Sequence, residues 1–298
     1  MAKKILIPVV FLLLLTVLNL QAAFPADEAK ELALRAEKKL NEGSRLADED
    51  KTAEAAAVFL QAVELYEQAL QKDPNDKVSR QDHLYCLGER GMIYVRKGQQ
   101  ALNDKKYTQA ADCYSSAIAA YDSALKKLPQ EKNFQINRRY CRHEWGLAQF
   151  QVKLTGRGPA FAFQLIGLDG SPVSLAKMKG RVVLLEFMAG WCPTCRESLP
   201  VLQEVQRQFK NKAVQVVVLA LDRLDDWKKS SSEEKSLALT RGMDFTSAWA
   251  DEETFYQYGS FNSIPTVILI DQSGQIVAQV PADGREREQL ARRIAALL

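Results

Sequence analysis

A chain of 298 residues is long enough for two domains with cores of their own, and 47% hydrophobic with 26% charged residues is ordinary globular composition. A net charge of +3, from 40 basic and 37 acidic residues, gives no case for a nucleic-acid partner. Five cysteines are too few for a scaffold built on disulfides. Met1-Ala-Lys-Lys is a short basic start, Ile5 to Leu18 is an apolar run broken only by Pro8 and Thr16, and Gln21-Ala-Ala-Phe-Pro-Ala precedes the first acid, Asp27. This layout predicts a secretory signal over residues 1–23, with cleavage after Ala22, Ala23 or Ala26. A retained N-terminal anchor is the alternative, since the apolar stretch to Leu20 is only marginally short for a span. Either way the chain is expected to be exported, periplasmic or extracytoplasmic, secreted or tethered. Disulfides persist there unless something reduces them.

Residues 26–154 read as an all-α repeat domain. Proline is almost absent from the segments and apolar residues recur at helical spacing. The stretch also matches itself at an offset of 55: Ala55, Phe59, Ala62, Tyr66, Ala69 and Pro74 recur as Ala110, Tyr114, Ala117, Tyr121, Ala124 and Pro129. Gly43 falls on Gly98, and Tyr85, Cys86 and Gly91 fall on Tyr140, Cys141 and Gly146. Helices are expected near 27–43, 50–72, 78–99, 105–128 and 133–153, the prolines ending the second helix of each pair. The pattern resembles the second helix of a tetratricopeptide repeat, with a period of 55 rather than about 34. Such stacks hold partners or shape a dimer, so the domain is expected to be an interaction module that docks a protein partner. His83, Cys86, Cys113, Cys141 and His143 do not read as a metal site: Cys86 and Cys141 hold equivalent repeat places, where small apolar residues belong. A Cys86–Cys141 disulfide stays open.

Leu154-Thr-Gly-Arg-Gly-Pro is a short linker, and residues 156–298 read as an α/β domain. Phe161-Ala-Phe-Gln-Leu-Ile followed by Asp169-Gly170 suggests a hairpin. Val182–Phe187 is a fully buried strand, Val214–Leu221 a second, and the helix between them makes a parallel crossover. The text from Asp222 to Gly242 is a charged loop feeding a helix. Pro265–Asp271 and Gly274–Val280 form a second hairpin, and Arg285–Leu298 an amphipathic helix.

Where the first strand breaks at Ala189-Gly190 stands Trp191-Cys192-Pro193-Thr194-Cys195, and Leu199, Leu202, Val205 and Phe209 then fall on one helical face. The positive end of that helix stabilises a thiolate. Cys192, at the helix start, is expected to be exposed, with Cys195 one turn behind it within bonding reach. A zinc half-site would need two more ligands; no second CxxC or histidine pair follows, so no metal is expected. Glu186 stands among Leu184, Leu185 and Phe187 on a strand buried on both sides, where an ionised carboxylate is costly and its pKa should be raised.

These residues resemble the thioredoxin active site. With Pro159-Ala-Phe-Ala-Phe, Asp169-Gly170, Val182-Val-Leu-Leu-Glu-Phe, Cys195-Arg196, Pro200 and Ile264-Pro265-Thr266, residues 156–298 resemble the TlpA branch of extracytoplasmic thioredoxin-like disulfide reductases. The resemblance implies a thioredoxin fold and a thiol–disulfide oxidoreductase using no cofactor but a redox-active Cys192–Cys195 disulfide. It implies Cys192 as nucleophile, Cys195 as resolving thiol and Glu186 as a proton relay. It further implies a cis Pro265, an Ile264 backbone that pairs with substrate, and Trp191 shielding one side, while Pro193 and Thr194 tune the thiolate. The lysine that partners the buried acid in thioredoxins has no counterpart in Val214–Leu221. Where the branch more often carries an acid three residues after the second cysteine, Ser198 stands, with Glu197 one place earlier. Protein disulfides of the cell envelope are the expected substrates, with an upstream thiol donor at the membrane. A peroxiredoxin-like peroxide reductase is the alternative, though Ala189 stands where that group has Thr or Ser. A redox-inactive scaffold is the third reading, against which the intact CxxC with Glu186 and Pro265 argues.

Overall fold

The structure, a computed structural model, describes the backbone of residues 6–280 and 287–298, and side chains over 26–280 and 288–298. The signal or anchor expected over 1–23 lies outside the residues whose side chains are described. Among the described residues no helix is long and apolar enough to cross a membrane.

Five helices come first: α1 (Leu6–Asp48), α2 (Thr52–Lys72), α3 (Lys77–Asn103), α4 (Tyr107–Lys127) and α5 (Lys132–Gly156). The repeated residues explain how they pack. A Cβ on Gly98 would stand 3.0 Å from the Tyr114 ring, and one on Gly43 would stand 3.0 Å from the Phe59 ring at the equivalent repeat place. Tyr121 lies closer still, 2.5 Å from a Cβ on Gly91. Small residues on one helix thus make slots for aromatic rings on the next, and Phe59, Tyr66, Tyr114 and Tyr121 are all buried. Ends are capped locally. Asp76 accepts from the Val78 and Ser79 N–H groups at the start of α3, and α2 stops at Asp73, next to Pro74.

By contacts the chain divides into two compact units, one running to Asp104 with Asp112–Cys141, the other made of Lys105–Ala111 with Arg142 onward. The second half of α5 therefore packs with the second unit. Gly146, the repeat equivalent of Gly91, meets the Tyr256 backbone and Ser260 where Gly91 meets a tyrosine ring. Phe150 packs on Gly259, whose φ of +109° suits glycine, and the Arg142 guanidinium lies 4.7 Å over the Tyr256 ring.

The second unit opens with a small hairpin, β1 (Gln164–Ile166) and β2 (Pro172–Ser174). The main sheet follows: β3 (Val182–Met188), β4 (Val214–Ala220), β5 (Thr246–Trp249), β6 (Thr266–Ile270) and β7 (Ile276–Val280), in the order β5-β4-β3-β6-β7. β3 is central, parallel to β4 across the helix α6 (Pro193–Gln208) and antiparallel to β6. Alternate residues of β3 face two cores. Val182 and Leu184 join Leu199 and Leu202 of α6, while Val183, Leu185 and Phe187 join Phe150, Phe163 and Tyr258. Helices α7 (Ser232–Thr240), α8 (Glu252–Gln257) and α9 (Arg287–Ala295) complete the unit. Neither β5 nor α8 is expected from the sequence: one is a four-residue edge strand, the other six residues long, and both are too short to show a period. The result is a thioredoxin fold preceded by an all-helical region.

Candidate active site

Cys192 is the N-cap of α6 and Pro193 its first residue, so the proline's missing N–H falls where no helical partner exists. Cys192 and Cys195 form a disulfide, with Cα atoms 5.3 Å apart. The Cys195 N–H donates to Cys192 Sγ at 3.1 Å, the helix-terminus contact that would stabilise a thiolate once the bond opens. Cys192 is not exposed as its position at the helix start suggests: only 2% of its surface is accessible. Its sulfur lies 3.3 Å from the Thr194 hydroxyl and 3.7 Å from the Ile264 carbonyl oxygen, so a segment far along the chain covers it. The Thr194 hydroxyl in turn donates to that carbonyl at 3.4 Å. The Ile264–Pro265 peptide is cis, and the turn before it is braced by the Thr266 hydroxyl donating to the Ser263 carbonyl at 2.9 Å.

Behind the disulfide Glu186 is fully buried, paired in register with Val218 on β4 and Val267 on β6. Burial pushes its carboxyl up to about 8, against a smaller opposing effect of Ser198. The geometry gives the same answer. Ser198 Oγ lies 2.8 Å from Glu186 Oε1 and 2.9 Å from the Cys195 carbonyl oxygen. The Ser198 hydroxyl thus donates toward both the carboxyl and the carbonyl, and a neutral Glu186, able to donate in its turn, fits a hydroxyl with a single proton to give. The other carboxyl oxygen, Oε2, has no partner, which also favours the neutral form. Ser198 fills the place where the resemblance leads one to expect an acid, and Glu197 is exposed.

Trp191 stacks on Trp227 with centroids 6.0 Å apart and planes at 15°, and its Nε1–H donates to the Trp227 carbonyl at 2.6 Å. The Lys229 ammonium stands 3.6 Å from the Trp191 ring centre. Sequence reading passes over Trp227, Lys229, Asp222 and Ser236, all in the charged stretch taken as solvated loop. A tryptophan in such text was the one available sign. Cys192, Cys195, Glu186, Trp191, Pro193, Thr194, Ile264 and Pro265 come together at one end of the sheet. The cysteines of the helical region stay apart from this chemistry. Cys86 is buried, which pushes its thiol up to about 12, and burial likewise raises that of Cys113.

A dithiol at a helix start, opposite a cis proline and backed by a buried acid on the central strand, defines a thioredoxin-like thiol–disulfide enzyme. Residues 154–293 match the family described as Redoxin, in keeping with the resemblance of this part of the chain to the thioredoxin-like TlpA branch. Among relatives, the chain is 28% identical over 128 residues to the thiol-disulfide oxidoreductase ResA of Bacillus thuringiensis (strain Al Hakam), covering 43% of this chain and 70% of that protein. It is 30% identical over 114 residues to the thioredoxin-like protein YneN of Bacillus subtilis (strain 168), covering 38% and 64%. A crystal structure of a thiol:disulfide interchange protein of the thioredoxin family from Chlorobium tepidum TLS is 26% identical, with a TM-score of 0.41 over 47% of this chain and 94% of that one. The protein is a thiol–disulfide oxidoreductase.

Proposed function

We propose that the protein is an exported reductase of disulfides in envelope proteins, acting through the Cys192/Cys195 dithiol, with the helical repeats docking it on a protein partner. One observation carries the reading: the pair sits at the start of α6 facing the cis Ile264–Pro265 bond, with a carboxyl of raised pKa tied to the helix through Ser198. The Cys192 thiolate attacks a substrate sulfur, forms a mixed disulfide and releases the other sulfur, which takes up a proton. Cys195 then gives up its proton, attacks Cys192 Sγ and frees the second substrate thiol. Two electrons have passed to the substrate and the Cys192–Cys195 bond has formed. Glu186 takes the Cys195 proton; a group titrating near neutrality can both accept and return one. The Ile264 backbone aligns the substrate chain like an added strand, Trp191 covers one side, and Pro193 and Thr194 hold the helix start.

The chemistry uses no cofactor beyond the pair itself. An upstream thiol donor, membrane-bound in this reading, returns the pair to the dithiol. Export rests on the basic start, apolar run and small residues of the N terminus. Docking rests on the likeness of the helical region to repeat stacks, since the repeated small and aromatic positions themselves are buried in its core.

The test is the reduction potential of the pair, measured by equilibrating the protein against glutathione or dithiothreitol buffers. A value near about −270 mV is expected for a reductase, whereas one near about −120 mV would make it an oxidant and overturn the direction proposed. Absence of any reversible couple would end the enzymatic reading. Fractionation of cells expressing the full chain tests export, and a cytoplasmic location would refute it.

A further inference from the structure

One buried acid takes no part in the proton route above. Asp222 directly follows Leu221, the buried residue just past β4, and none of its surface is exposed. Its Oδ1 accepts from the Gly190 N–H at 2.9 Å and its Oδ2 from the Ser236 hydroxyl at 2.6 Å. Gly190 lies inside the tight turn closed by the Cys192 N–H donating to the Ala189 carbonyl at 2.9 Å, and Ser236 belongs to α7. The carboxylate therefore ties the turn that carries Cys192 to β4 and α7.

The fit is close. A Cβ on Gly190 would strike the Ser232 carbonyl oxygen and would stand 2.6 Å from the Ser236 nitrogen, so α7 rests on the backbone of the turn. The Ser236 hydroxyl also lies 3.6 Å from Met188 Sδ, and the Leu221 N–H donates to the Met188 carbonyl at 2.9 Å. Burying a carboxylate is costly unless its oxygens are bonded. Here each oxygen is bonded, and one of the two bonds goes to the turn two residues before the nucleophile.

We propose that Asp222 is a positioning residue of the dithiol site: by holding the Gly190 N–H it fixes the turn 189–192, which sets Cys192 Sγ against the Cys195 N–H and the Ile264 carbonyl. Ser236 aims the carboxylate. The assignment rests on the dithiol chemistry for its rate readout, while its second readout is independent of activity.

The experiment compares the full chain with Asp222→Ala, Asp222→Asn and Ser236→Ala. It measures kcat and KM for a model disulfide substrate and hydrogen exchange at the Gly190 amide. Asp222→Ala is expected to lower kcat about tenfold with KM within about twofold, because misplacing a nucleophile costs rate more than binding. Exchange at Gly190 should quicken about tenfold or more. Asp222→Asn keeps an oxygen acceptor for Gly190 and should return kcat to within about threefold of wild type, with exchange slow again. Ser236→Ala should fall between the two. A folded Asp222→Ala with wild-type kcat, or with unchanged Gly190 exchange, overturns the proposal, as does an Asn variant as slow as Ala. Should Asp222→Ala not fold, Ser236→Ala decides: wild-type exchange and kcat there would refute the assignment. A wild-type chain with no dithiol couple would instead sink the enzymatic reading, and Gly190 exchange would still judge Asp222.

Discussion

The two units bury different things. In the helical unit the buried polar side chains among the described residues are Ser79 and His83, the first bonded to the Asp76 cap and the second 3.2 Å from Glu67 at the surface. The rest of its interior is alanine, glycine, cysteine, aromatic or aliphatic, and ion pairs such as Lys127 with Glu67 at 2.6 Å lie outside. The thioredoxin-fold unit instead places Glu186, Ser198, Asp222 and Ser236 in its core, and two of these are carboxylic acids. Buried acids cost stability, so a fold that keeps them at one end of its sheet marks that end as the place where something other than packing is served. The helical unit shows the opposite: its buried small and aromatic residues answer to one another.

The sharpest way to break the contrast is at the dithiol. Cys192→Ser should abolish disulfide reduction, a loss of roughly 10³-fold or more, while thermal melting of the helical unit stays unchanged. Cys195→Ser should accumulate the mixed disulfide, visible as a covalent adduct by mass spectrometry. An active Cys192→Ser protein would deny the site its chemistry.

Glu186→Gln comes next. Turnover near neutral pH should fall roughly 10- to 100-fold, and the limb of the rate profile near pH 8 should vanish. The same change should alter stability with a definite sign. The folded-state pKa is raised, so wild-type stability is fully present below about 4.5, declines as pH rises toward about 8 and is flat beyond it. The whole decline is on the order of 5 kcal/mol for a shift of that size. Denaturant unfolding from pH 4 to 9 should show the decline in the wild type and not in the Gln variant. Parallel curves would mean that Glu186 is not buried as described.

Gly91→Ala tests the other side. Its Cβ would meet the Tyr121 ring at 2.5 Å, so the helical unit should lose about 1–3 kcal/mol in equilibrium unfolding, with disulfide reduction by the folded protein unaffected. The smallest effect concerns Cys86. With its thiol pushed up to about 12, iodoacetamide at pH 8 should modify Cys192 of the reduced protein and leave Cys86 unlabelled until denaturant is added. Early labelling of Cys86 would show that the helical core opens readily.

Much of this was legible in the chain itself. The 55-residue offset, the capping and terminating residues and the apolar spacing locate all five helices to within a few residues, α1 excepted, which runs longer at both ends. The unbroken run Val182–Phe187, the CxxC after it and Glu186 within it identify the central strand and the chemistry, because each is a local pattern read along the backbone. What the sequence by itself determined, then, is which segments fold and which residues are candidates to exchange electrons and protons. Only the tertiary structure decided that Cys192 is covered by Ile264, that Ser198 joins Glu186 to the Cys195 carbonyl, that Trp227 stacks on Trp191, and that Asp222 and Ser236 hold the turn at Gly190. It also decided that Gly146, whose repeat twin receives a tyrosine ring, receives the backbone of α8 instead. These contacts join residues from 12 to more than 100 positions apart, and no periodicity along a chain encodes which distant backbone will fill a given gap.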